Sequence, residues 1–334
     1  MVGGKGRGRW AAVATVAVAL TLVAACGSSG SEQAGATGAA GAFPVTVDGK
    51  LGPATIPAKP LRVVAMSWTD ADVALGMGVT PVGMASVSTA DGGIEPWTKA
   101  VLGTAPAPEL FDVTRADPIE TVAALKPDVI LATKDYNLEQ SYADLSRIAP
   151  VVGYRNAPNA DTWQDTTTRI GTALGVPDAA KRSIDDANAA VAAARGQHPE
   201  FADRTFGLLV GPSPDGVYAV NSVDDASAGL LSGLGLTLTP TIAGTPASGI
   251  PGRTKLSYEQ LTLAQADVLL ATGPPSGLAR LKATPSFTAL PVVARGGYVP
   301  LDAATAQSIA FPSPISIRWG IGTIAPKIST ALKG

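Results

Sequence analysis

Apolar residues along the chain come in short runs punctuated by Gly, Pro and polar residues. Val45-Thr46-Val47, an Asp48-Gly49 turn and Ala54-Thr55-Ile56 read as a hairpin. After Pro60, Arg62-Val63-Val64-Ala65-Met66 reads as a strand of the kind a parallel sheet buries on both faces. Thr69-Asp70 then offers a helix N-cap, with a helix from Ala71 to Met77 closed by Gly78, and Val82-Gly83-Met84 is the next strand. Strands alternating with helices predict an α/β sheet.

The strongest internal signal is a repeat. Residues 120–133 read ETVAALKPDVILAT and residues 259–272 read EQLTLAQADVLLAT. Glu120 and Glu259 each precede an Asp (Asp128, Asp267) by eight positions, and each copy ends in a strand closing on Leu-Ala-Thr. The match predicts duplicated architecture: two Rossmann-like α/β lobes, at 43–160 and 199–334. Between them, 161–198 is Ala-rich and helical in pattern, with Gly175 and Pro177 marking a break. It is expected to bridge the lobes as a long backbone helix, leaving a ligand cleft between them where strand-end loops face each other.

The first 42 residues differ. Lys5, Arg7 and Arg9 precede an apolar run from Ala11 to Ala25, too short for a bilayer span and read as a signal peptide over 1–25. Leu22-Val23-Ala24-Ala25-Cys26-Gly27 resembles a bacterial lipobox, which would make Cys26 the lipidated first residue of the mature chain. An ordinary secretory leader and an uncleaved anchor are the alternatives. The Gly/Ala/Ser-rich remainder of 26–42 is expected to be a flexible tether. The body would then be secreted and held by lipid at the outer face of the cytoplasmic membrane.

Composition narrows the chemistry. The 334 residues carry a formal net charge of −2, which gives no electrostatic footprint for nucleic acid. One Cys forms no internal disulfide or zinc cluster, and one His argues against a multi-imidazole metal site or a Ser-His-Asp hydrolase. No Gly-x-Ser-x-Gly elbow and no strand-borne Gly-x-Gly-x-x-Gly is present, so an enzyme is not expected. No resident cofactor is expected.

IPAKPLRVVAMSW (56–68), ADPIETVAALKPDVILAT (116–133), YADLSRIAPVV (142–152) and FPSPISIRWGI (311–321) resemble the substrate-binding lipoproteins of ABC importers for ferric siderophores, haem and cobalamin. The resemblance covers roughly residues 44–332 and implies the class III periplasmic binding protein fold, two lobes on one backbone helix. It also implies a ferric siderophore as cargo, an ABC importer permease as partner, and a monomer. Iron would enter only within its chelate. Haem and cobalamin are rival cargoes, with Tyr136 or Tyr218 as a haem's axial ligand, and a surface interaction lipoprotein without cargo is a further alternative.

Residue by residue, the resemblance places Arg115, two positions before Asp117-Pro118, and Tyr136, just past the Leu131-Ala132 strand, on the ligand. Where the family carries an acid that docks on the permease, this chain offers Asp70 in the first lobe and Asp225 in the second. A bulky chelate needs aromatic walls and a few cations near its oxygens. Trp68, Trp97, Tyr218 and Phe311 complete the candidate walls, and Arg253 is the second candidate cation. Trp319, Tyr154 and Arg155 read as core or rim, and His198 as solvated.

Overall fold

The computed structural model describes residues 43–334; the leader, Cys26 and the tether lie outside the described residues. The chain opens with a hairpin of β1 (Val45–Val47) and β2 (Ala54–Ile56), which packs on the first lobe. That lobe continues through β3 (Val63–Ala65), α1 (Trp68–Gly76), β4 (Gly83–Ala85), α2 (Pro96–Leu102), β5 (Glu109–Phe111), α3 (Ile119–Ala124), β6 (Val129–Ala132), α4 (Leu138–Leu145) and β7 (Val151–Gly153). Its sheet, in the order β5-β4-β3-β6-β7, is parallel throughout. β3, β4, β6 and β7 are buried along their whole length, as strands with helices on both faces must be.

The segment from 161 to 198 is two helices. α5 (Trp163–Ala173) lies in the first lobe against α1 and β1, and α6 (Pro177–Gln197) runs on from one lobe to the other. Gly175, at φ +67°, makes the turn between them. Gly171 allows their close crossing, because a Cβ there would lie 2.4 Å from that of Ala180. At about 1.5 Å per residue, α6 is roughly 31 Å long. Ala180 is buried in the first lobe's core and Ala187 in the second's, so the α6 face spans both.

The second lobe comprises β8 (Thr205–Ser213), β9 (Gly216–Val220), α7 (Ala226–Gly233), β10 (Thr237–Leu238), β11 (Arg253–Leu256), β12 (Val268–Thr272), α8 (Pro275–Ala283), α9 (Pro285–Thr288), α10 (Pro291–Ala294), β13 (Tyr298–Pro300), α11 (Ala303–Ala310) and α12 (Pro314–Lys333). Its sheet order is β11-β9-β8-β12-β13, with β10 also on β8. Here β8 meets β12 and β10 in parallel but β9 antiparallel.

The repeat has a structural meaning. Asp128 Oδ2 accepts from the amides of Leu61 (2.8 Å) and Arg62 (2.9 Å), at the entry to β3. Asp267 Oδ2 accepts from the Thr205 amide (2.8 Å), at the entry to β8. Each repeat Asp thus clamps the strand on which its own strand, β6 or β12, is laid.

A second joint lies at the start of α12. Ile315 packs with Leu75, Trp97 and Leu102 from the first lobe. The Ser313 hydroxyl donates to Asp72 Oδ2 at 3.3 Å. Two contacts along different helices join the lobes, a stiffer connection than one helix alone.

Candidate functional site

The cleft-side wall of the first lobe is built where β3 gives way to α1. Ser67 caps the helix, its Oγ accepting from the Asp70 amide (3.0 Å) and donating to Asp70 Oδ2 (2.8 Å), and this fixes Trp68 at the helix mouth. Where β6 ends, the Thr133 hydroxyl donates to Asp70 Oδ1, tying the two strand ends together. Lys134, Asp135, Tyr136 and Asn137 follow. The Asn137 amide donates to Asp135 Oδ1 (2.8 Å), and the Asn137 side chain donates to the Val113 carbonyl (2.7 Å).

These residues line a recess of about 200 Å³ whose opposite side is Gln307 and Phe311 of the second lobe. Trp68 meets Phe311 edge-on, ring centres 5.6 Å apart, so one aromatic wall is made by both lobes. Gln307 Nε2 donates across the lobes to the Thr89 hydroxyl at 2.7 Å. Tyr136 is 63% exposed, its ring open to the cleft and its hydroxyl held by the Asn159 side chain. Desolvation pushes that phenol up, while Asn159 and the Arg253 guanidinium of the other lobe draw it down. Arg253 itself pairs with Asp225 at 3.4 Å.

Asn137 also borders a second recess, of about 400 Å³, lined by Arg115, Asp117, Gln140 and Asp144. Of the expected site residues, Trp68, Tyr136 and Phe311 share the first recess, Arg115 stands in the second, and Arg253 lines neither. Tyr218 lies half-buried in β9, outside both.

Two more expectations are corrected. Trp97 is 2% exposed: its Nε1 donates to Asp72 (2.5 Å) and its ring packs on Trp319 at 5.2 Å. It supports Trp68 from beneath (6.3 Å) at the lobe joint and forms no ligand wall. Asp70 is fully buried, its pKa pushed up by that burial against the hydrogen bonds of Thr133, Ser67 and Lys134. A carboxyl facing the core cannot reach a permease. Asp225, the other docking candidate, caps α7 through the Ser227 amide (3.0 Å) and pairs with Arg253, its side chain 11% exposed. Sequence reasoning missed Lys134, Asp135, Asn159 and Gln307. The first two follow β6 directly, where the carboxyl-end rule for α/β sheets could have found them.

The matches to known proteins agree with this geometry. The family model described as periplasmic binding protein matches residues 63–304. The lipoprotein YhfQ of Bacillus subtilis (strain 168) is 28% identical over 264 residues, 77% of each chain. A periplasmic solute binding protein of Mycobacterium smegmatis superposes with a TM-score of 0.75 at 28% identity, covering 86% of this chain and 98% of that one. Streptococcus pneumoniae TIGR4 PiaA in complex with ferrichrome superposes with a TM-score of 0.72 at 26% identity, over 86% and 98%. The fold is that of the ferrichrome-class binding proteins, and the chain belongs to the periplasmic binding protein family.

Proposed function

We propose that this protein captures a ferric siderophore between its lobes and delivers it to the permease of an ABC importer. The observation that carries the reading is the recess walled by both lobes, with Trp68 and Tyr136 on one side and Gln307 and Phe311 on the other. A ligand there touches both lobes, so their relative position reports occupancy to a partner that grips both. Arg115 in the adjoining recess, and Arg253, whose charge acts on Tyr136, offer cations to the oxygen-rich surface of a chelate. The ferrichrome carried by PiaA supports the same cargo class. In this reading iron arrives fully coordinated and the protein contributes no metal ligand. Lipidated Cys26 anchors a monomer to the outer face of the cytoplasmic membrane.

Haem held by Tyr136 fits less well, because a phenolate ligand needs a lowered pKa and desolvation raises this one. The test is quenching of intrinsic Trp fluorescence in residues 27–334, titrated with ferric hydroxamates, ferric catecholates, haem and cobalamin. Saturable quenching by a ferric chelate, weakened in Trp68→Ala, is expected. Saturation by haem alone, with a new visible absorption band, would reassign the cargo, and no response to any of them would overturn the reading.

A further inference from the structure

The recess contains a mismatch with an all-oxygen cargo. Asp135 is 2% exposed; its Oδ1 accepts from Asn137, but among the described residues nothing donates to its Oδ2. From the other lobe, Gln307 Oε1 is buried and equally without a donor, its Nε2 being used on Thr89. Both residues line the same recess. The charges around Asp135 do not neutralise it. Asp117 and Asp70 are acidic, and the ammonium of neighbouring Lys134 is turned to the Asp161 carbonyl at 3.0 Å. Burial, then Asp117 as a like charge and as a hydrogen-bond partner, push the Asp135 carboxyl up to about 8, so in the empty cleft Asp135 holds a proton against Asp117 instead of facing a counter-charge.

A buried acceptor without a donor costs free energy that a ligand recovers by bringing the donor. The iron-binding oxygens of a siderophore are acceptors and would be repelled here, so the complement must come from another part of the molecule. Resting on the siderophore reading, we infer that the cargo is a ferric chelate bearing a free ammonium group, seated between Asp135 of the first lobe and Gln307 of the second. The arriving ammonium drives the Asp135 proton off to solvent, Asp135 then supplies the charge, and Gln307 adds a neutral acceptor from the other lobe.

The test compares two forms of one ligand: a ferric linear trihydroxamate ending in a primary ammonium, and the same chelate with that amine acetylated. Fluorescence titration of the wild-type protein needs no variant, and the ammonium form should bind at least about tenfold more tightly. In Asp135→Asn, shown folded by circular dichroism, the two forms should bind within about twofold. Equal affinities in the wild type, or saturation only by chelates that carry no ammonium, would overturn the inference and leave the siderophore reading standing. Binding of haem or cobalamin and of no ferric chelate would overturn both.

Discussion

The two lobes begin alike and part company at one strand edge. In each, a central strand (β3 or β8) has a parallel neighbour (β6 or β12) whose preceding Asp clamps its entry. On the other edge β3 meets only the parallel β4, stops after three residues and turns straight into α1. β8 runs for nine residues: its first turns of chain meet β10 in parallel, and beyond that β9 folds back antiparallel, with an irregularity between Val210 and Ser213. The first lobe therefore delivers side chains to the cleft directly from strand ends, as Trp68 and Tyr136. In the second the hairpin occupies that edge, and the cleft is reached instead from α11 and its C-terminal end, through Gln307 and Phe311. Duplicated sheets do not imply duplicated binding surfaces.

The largest effect should come where the lobes meet. Trp97→Ala removes a fully packed indole and leaves Asp72 without one of its three donors, a loss of about 3–5 kcal/mol in chemical denaturation. If the lobes are one cooperative unit, the variant still unfolds in a single transition at lower denaturant. Two separated transitions would show that α6 alone does not couple them.

A pH dependence sharpens the same point. Burial pushes Asp72 up to about 7 despite hydrogen bonds from Thr98, Trp97 and Ser313. Burial, with Asp302 nearby and against Lys99, does the same to Glu95. Both folded values exceed the unfolded ones, so the folded state holds the extra protons between about pH 4 and 7. Stability from these acids is fully present below that window and is lost as pH rises through it, by at most about 1.4 kcal/mol per pH unit for each acid. Denaturation midpoints should fall from pH 5 to pH 7.5, and less so in Asp72→Asn. An unchanged slope in that variant would remove Asp72 as a source.

Much of this was legible beforehand, for physical reasons. The hairpin, the alternation and the repeat are local patterns, and the repeat Asp residues proved to share a structural job. Trp68 and Tyr136 follow strands directly, so topology alone places them at the cleft. Trp97 and Asp70 misled because an indole after a proline and an acid at a helix start look the same whether they face solvent or core. Trp97 is covered by Trp319 of α12, more than 200 residues away, and Asp70 is held by Thr133, just past β6. Tyr218 misled because it was read at a loop position, whereas it lies within β9, which folds back antiparallel on β8.

The clamps test the duplication itself. Asp128→Ala and Asp267→Ala each strip acceptors from the amides at a strand entry, at a cost of about 1–2 kcal/mol, reduced by the partial exposure of these sites. Asp267→Ala should cost slightly more, because Asp267 Oδ2 also accepts from the Thr205 hydroxyl (2.8 Å) and Arg204 stands 3.5 Å from Oδ1. Costs differing by several-fold would mean that the two strand entries are not energetically equivalent.

The smallest effect probes how the lobes share the ligand. Trp68 and Phe311 touch one another edge to face and line the same recess, so each truncation removes a wall and also its partner's support. Trp68→Ala and Phe311→Ala should each weaken the ferric chelate by about tenfold in fluorescence or calorimetric titration, around 1.4 kcal/mol. The double variant should weaken it by less than the product of the two, because contacts shared by neighbours are counted in both single losses. Strict additivity would indicate that the rings grip different parts of the cargo independently. An effect confined to Trp68→Ala would mean that the first lobe binds alone, and that closure onto Phe311 adds nothing to affinity.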